Sequence, residues 1–173
     1  MRSGERQFAE EGRESMNNTE KAFHWIVEIL RKCDVPFQVT GGLAARVYGS
    51  ERPLADIDID IPEERFEDIL PDVQEHITFG PDRFTDENWD LRLLRLNYEG
   101  QQIDICGDNM KIRSARTEKW EDCRTNFLAS ENHDVYGTLV PVITKEDLID
   151  YKRVLDRPVD REDVAAILGR RGS

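Results

Sequence analysis

The run GGLAARVYGSERPLADIDID, residues 41–60, decides how this chain is read. At its end Asp56, Asp58 and Asp60 alternate with Ile57, Ile59 and Ile61. A period of two is that of a half-buried strand, with isoleucines on one face and carboxylates on the other. The isoleucine face pins the register, because a slip of one residue would bury the acids. Three like charges side by side repel one another, so folding gains nothing from them. They are either the solvated face of an edge strand or a site whose chemistry needs clustered carboxylates. The start of the run favours the second account. Phe37-Gln38-Val39-Thr40 reads as a short strand entering Gly41-Gly42, and Leu43 to Tyr48 as a short helix closed by Gly49. Glycines at such a turn let a phosphate approach the backbone, and the helix start offers N–H donors. A Gly-Gly pair before a helix is also a common plain turn, so the combination carries the weight.

Working outward, Leu91–Tyr98 and Gln102–Cys106 read as two strands of a hairpin turning at Glu99-Gly100. The second holds Asp104 between Ile103 and Ile105, again one acid on an apolar strand. Carboxylates converging from two strands form a ligand set for one or two Mg²⁺ ions. Arg52, just before the acidic strand, suits either a phosphate or Glu51. Lys145, Lys152 and Arg46 are further candidates for phosphate contact, with a solvated helix face as the equal alternative for the two lysines. Trp89, Trp120 and Tyr98 suit base stacking or, more commonly, core packing.

The remaining segments complete an α+β order. Residues 1–17 are polar and read as a disordered or loosely ordered leader, with a single domain over 18–170. Ala22, Phe23, Ile26, Val27, Ile29 and Leu30 recur at helical spacing behind Thr19 as N-cap, and Pro36 follows the helix end. Pro62–Leu70 reads as a helix, residues 111–133 are ambiguous, and Leu139–Ile143 is extended. Thr144 caps a helix with Asp147 at its third position, and a last helix begins near Pro158. The sum is a mixed β-sheet flanked by helices, with a helical C-terminal part.

Composition removes several classes. The chain has 173 residues with 24 Lys+Arg against 36 Asp+Glu, a net charge of −12. That argues against a general nucleic-acid binder and against adhesion to an anionic membrane. Cys33, Cys106 and Cys123 are odd in number and widely spaced, as in a cytoplasmic protein with reduced thiols. His24, His76 and His133 lack zinc-ligand spacing. The start of the chain lacks a signal peptide's apolar core, and no apolar run is long enough to span a bilayer.

Gly41-Gly42, the helix LAARVYG, Asp56-Ile57-Asp58 and Asp104 together resemble the nucleotidyltransferase superfamily, the DNA polymerase β-like fold. The run looks most like its small stand-alone members, the lincosamide, aminoglycoside and toxin-type nucleotidyltransferases. The tail Val140–Glu146 with Tyr151-Lys152 and Arg161-Glu162-Asp163 is similar too. The pattern is also similar to bacterial proteins labelled MazG-related, although an all-helical pyrophosphohydrolase is not what these residues describe. The resemblance implies transfer of a nucleotide from a nucleoside triphosphate, ATP above all, to a hydroxyl acceptor, with Mg²⁺ or Mn²⁺ as cofactor. It assigns the metals to Asp56, Asp58 and Asp104 and the phosphates to Gly41 and Gly42. Asp58-Ile59-Asp60 repeats the acid–apolar–acid pattern, but Asp56 lies closer to the gap the family leaves after the glycines. The acceptor favoured is a small molecule. A toxin-like enzyme acting on tRNA or protein is the alternative, with Lys111, Arg113, Arg116, Lys119 and Arg124 as its one basic stretch. A third alternative is a non-catalytic nucleotide-binding module. Oligomeric state is not legible.

Overall fold

The computed structural model describes residues 18–169, and the expected leader over 1–17 lies outside them. Helix α1 covers residues 18–32, with Thr19 inside it rather than capping it; the Thr19 hydroxyl bonds Gln101 Oε1. Strand β1 (Gln38–Thr40) runs directly into helix α2 (Gly41–Val47), and β2 follows (Asp56–Ile61). The helix expected from Pro62 opens as a 3₁₀ turn, Glu63–Arg65, and becomes α3 at Phe66–Val73. Strands β3 (Ile77–Thr85), β4 (Trp89–Tyr98), β5 (Gln101–Gly107), β6 (Asn109–Arg113) and β7 (Trp120–Arg124) come next. After a 3₁₀ turn, β8 (Glu131–Val135) and β9 (Thr138–Val142) lead to α4 (Lys145–Leu155) and α5 (Pro158–Gly169). Thr144 caps α4 by accepting from the Asp147 N–H at 3.1 Å.

One mixed sheet joins the strands in the order β7-β6-β4-β5-β2-β1-β9-β8, with β3 added to β4. Strand β2 is parallel to β5 and antiparallel to β1. Its isoleucines Ile57, Ile59 and Ile61 are fully buried in one core with Phe23, Ile26 and Leu30 of α1 and Phe66 and Ile69 of α3. The aspartates take the opposite face, as the alternation requires. The ambiguous residues 111–133 take in most of the β6–β7 hairpin and the start of β8, whose charged outward faces hide the strand period. Strand β3 breaks its own pattern at Gly80-Pro81. The break is tolerated because β3 pairs only with β4, with one register shift before it and another across it. Among the described residues, no helix is long and apolar enough to cross a membrane.

Candidate active site

The register between β2 and β5 builds the site. Asp58 pairs with Asp104 and Asp56 with Gln102, so the two strands carry their acids at the same level. Carboxylate oxygens of Asp56, Asp58 and Asp104 lie within 4.8 Å of one another. Gln102 Nε2 stands 3.4 Å from Asp56 Oδ2 and from both oxygens of Asp104. Arg95, the partner of Asp104 across β4–β5, grips it with Nε at 2.8 Å and Nη2 at 3.1 Å.

Electrostatics marks this cluster as unfavourable when left alone. Burial, then repulsion from Asp56 and Asp104, pushes the Asp58 carboxyl well above the usual range. Burial and Asp104 raise Asp56 as well, against the pull of Arg95 and Arg52. Asp60, one step farther along β2, is pushed up to about 7 by burial while Thr125 donates to its Oδ2 at 2.8 Å. A set of oxygen donors on two strands, with acids that repel one another, fits a hard divalent cation and suits no softer metal.

The glycine turn is fitted to these acids. Gly41 has φ +61, and a Cβ built on it would stand 2.1 Å from Asp58 Oδ2. A side chain here would displace the carboxylate and strain the backbone. The Gly41 N–H, expected as a phosphate donor, is given to Tyr151 Oη at 3.0 Å. A Cβ on Gly42 would meet Arg52 Nη2 at 2.9 Å, so the guanidinium rests against the turn. Arg52 is in turn held by Asp163, through Nε at 2.7 Å and Nη2 at 2.9 Å.

The other expected phosphate contacts fall in different places. Lys152 is at the cavity wall, but its side chain is only 2% exposed and its Nζ pairs with Asp163 at 3.0 Å and Asp160 at 3.2 Å. Arg46 donates to the Arg52 carbonyl at 2.8 Å and so braces the loop before β2. Lys145 is the first residue of α4, half-exposed and outside the cavity lining. Trp89 lines the cavity, whereas Tyr98 stacks on Trp25 and Trp120 is exposed on β7. Sequence reasoning passed over Arg95, Arg157 and Asp160. Arg95 offers no local signal, since it meets Asp104 only across a strand pair.

The acid face opens on a cavity of about 660 Å³, walled in part by Tyr151 and Lys152 of α4. That volume is in the range of small-molecule sites. A glycine turn set against two acids of one strand and a third on its parallel neighbour is the arrangement that the resemblance to nucleotidyltransferases implies. Over residues 22–167 the chain matches the family model described as aminoglycoside-2''-adenylyltransferase, and it belongs to that family. Among solved structures it is similar to a Thermotoga maritima protein assigned as a nucleotidyltransferase. The TM-score is 0.59 at 23% identity, covering 84% of this chain and 94% of that one. It is similar to ANT(2'')-Ia in complex with adenylyl-2''-tobramycin, with a TM-score of 0.59 at 18% identity over 88% and 89% of the chains. It is also similar to the lincosamide antibiotic adenylyltransferase LnuA in its lincomycin-bound form, with a TM-score of 0.58 at 15% identity over 87% and 96%. At these identities the structural likeness speaks for the fold. No curated protein matches the chain in sequence. Nothing in these matches supports the MazG-related label.

Proposed function

We propose that this protein moves a nucleoside monophosphate from a nucleoside triphosphate, with ATP the first candidate, to a hydroxyl of a small molecule, with divalent-metal help. The observation that carries this reading is the Asp56–Asp58–Asp104 cluster, within 4.8 Å, set against Gly41. Asp56, Asp58 and Asp104 are the residues that would hold Mg²⁺ or Mn²⁺. When bound, the cation supplies the positive charge that lets a polyanionic nucleotide approach three acids and that offsets charge developing at the phosphate. Gly41 and Gly42, bare of side chains, let Asp58 and Arg52 close against the turn, which brings the metal-holding acids and the Arg52 guanidinium to the place where the phosphates would lie. Arg52 sits beside Gly42 with its guanidinium fixed by Asp163, a ready counter-charge. The acceptor hydroxyl attacks the α-phosphorus and pyrophosphate leaves. Asp104, kept in place by Arg95 and Gln102, takes the hydroxyl proton.

The cavity lining supports a small acceptor that carries amines. Asp86, Glu121, Asp122, Asp147 and Asp150 line it in addition to the acid trio, so that acidic lining residues outnumber the basic ones. Such a surface draws cations and repels a nucleic-acid backbone. The basic stretch that spoke for RNA is interleaved with Glu118, Glu121 and Asp122, and Lys111 stands opposite Asp122 across the strands. The relatives bound to lincomycin and to an adenylylated tobramycin favour the same class.

The test is transfer of label from each α-labelled nucleoside triphosphate with Mg²⁺. Acceptors are a panel of aminated hydroxyl compounds and a cell extract split into RNA, protein and small-molecule fractions. Label in the small-molecule fraction, lost in EDTA and in Asp56→Asn, is the expected result. Label in RNA or protein instead would overturn the acceptor class, and no label in any fraction would overturn the transfer itself.

A further inference from the structure

An ion network extends from the cavity wall into the core behind it. It runs Arg52–Asp163–Lys152–Asp160–Arg157 and ties the loop before β2 to α4 and α5. Its two carboxylates and its lysine are almost completely buried, at 1% for Asp160, 0% for Asp163 and 2% for Lys152. Its two arginines are at the ends, less buried, and both line the cavity. The ends are built alike. Asp163 takes Nε and Nη2 of Arg52; Asp160 takes Nε of Arg157 at 2.7 Å and Nη2 at 3.1 Å. Each guanidinium is thus gripped along one edge, and among the described residues Arg157 Nη1 makes no hydrogen bond. Three cations face two carboxylates, so the network carries one surplus positive charge toward the cavity.

Arg157 is also aimed. Its guanidinium lies 5.6 Å over the Trp89 ring, which meets Tyr151 edge-on at 6.3 Å, and Tyr151 holds Gly41. Arg52 touches the same turn at Gly42. Arg52 thus touches the glycine turn directly, and Arg157, which lines the same cavity, is linked to it through Trp89 and Tyr151. A planar guanidinium fixed on one edge by a carboxylate presents its other N–H groups to a phosphate at little further entropy cost.

We infer that Arg157 binds the polyphosphate chain of the nucleotide together with Arg52, and that Lys152 is not a phosphate ligand but the buried pivot that holds Asp160 and Asp163 behind them. The inference rests on the proposed nucleotide site and names a residue for it. Lys152 cannot serve both purposes: its Nζ is shared by two carboxylates and is shut away from the cavity solvent. Asp160 and Asp163 are positioning residues, because they act through the arginines.

Two bindings measured on the full-length protein test this: Mg²⁺ with inorganic tripolyphosphate by calorimetry, and Mn²⁺ alone by the loss of its free-ion resonance signal. A lost charge-assisted contact lowers affinity about 10-fold to 100-fold. Arg157→Gln is expected to weaken tripolyphosphate by that factor and to leave Mn²⁺ binding at the acid trio as tight as before or tighter. Arg161→Gln, one turn on and paired with Asp156 at the surface, serves as the control and is expected to bind both probes as the wild type does. Unchanged tripolyphosphate binding in Arg157→Gln overturns the inference. So does parallel loss of both probes, which would make Arg157 merely structural, and so does a wild type that does not take tripolyphosphate. A wild type that takes tripolyphosphate through Arg157 but does not bind Mn²⁺ keeps the inference and sinks the metal assignment of the proposed function.

Discussion

Asp58→Asn is the substitution on which the acid cluster turns. Carboxylate oxygens of Asp56, Asp58 and Asp104 lie within 4.8 Å. Two unit charges that far apart repel by about 3.5 kcal/mol at an effective dielectric constant of about 20. Burial and repulsion already drive Asp58 toward protonation, so only a fraction of that repulsion is present in the metal-free protein. Removing the charge while keeping the side-chain shape is then expected to stabilise the metal-free fold by about 1–2 kcal/mol, or about 2–8 °C in Tm. The response to cation runs the other way. At about ten times its Kd, Mg²⁺ stabilises the wild type by about 1.4 kcal/mol, and the variant, short of one ligand, gains little. Calorimetric melts in EDTA and in Mg²⁺ read both effects at once. The variant should melt above the wild type in EDTA, and the gap should close or reverse with Mg²⁺. If Asp58→Asn melts below the wild type in EDTA, or keeps the whole Mg²⁺ response, the carboxylates are not a repelling cluster relieved by metal.

Three further outcomes follow from the same geometry. Gly41→Ala puts a methyl 2.1 Å from Asp58 Oδ2 at a φ of +61. Left-handed strain plus overpacking should cost about 2–4 kcal/mol in urea unfolding, and a loss under 1 kcal/mol would refute the close approach. In the transfer assay Asp56→Asn should be inactive while Asp60→Asn keeps most activity, because Asp60 is engaged by Thr125 rather than gathered with the trio. The reverse pattern would move the metal pair to Asp58 and Asp60. Burial pushes the Cys123 thiol up to about 12. A thiol that stays protonated reacts slowly, so peptide mapping after alkylation at about pH 8 should find Cys123 unmodified in the folded protein and modified after unfolding. Rapid labelling of the folded protein would refute the protection of the Cys123 thiol.

The parts of this protein legible in its sequence are those written in short-range pattern. The acid–isoleucine alternation of Asp56–Ile61 sets a strand with two unlike faces before any partner is known. The Thr144–Asp147 cap, the turn at Glu99-Gly100 and the glycine pair ahead of α2 are likewise matters of neighbours a few residues apart. Asp104 was recognisable by the same alternation, and with it the whole acid trio. What joins those acids into one cluster is the parallel register of β2 with β5, which sets Asp58 opposite Asp104. That register depends on how two strands far apart in sequence share one core, so no local period encodes it. The same is true of Arg95, which reaches Asp104 only across β4–β5, and of Lys152. At helical spacing Lys152 fits a solvated face as well as a buried one. The docking of α5 turned it inward, because Asp160 and Asp163, both buried with it, leave its charge satisfied away from water. Periodicity determines which face of an element is apolar; which charges meet across elements is decided by packing, since a buried charge is tolerated only where a distant part of the chain supplies its counter-charge.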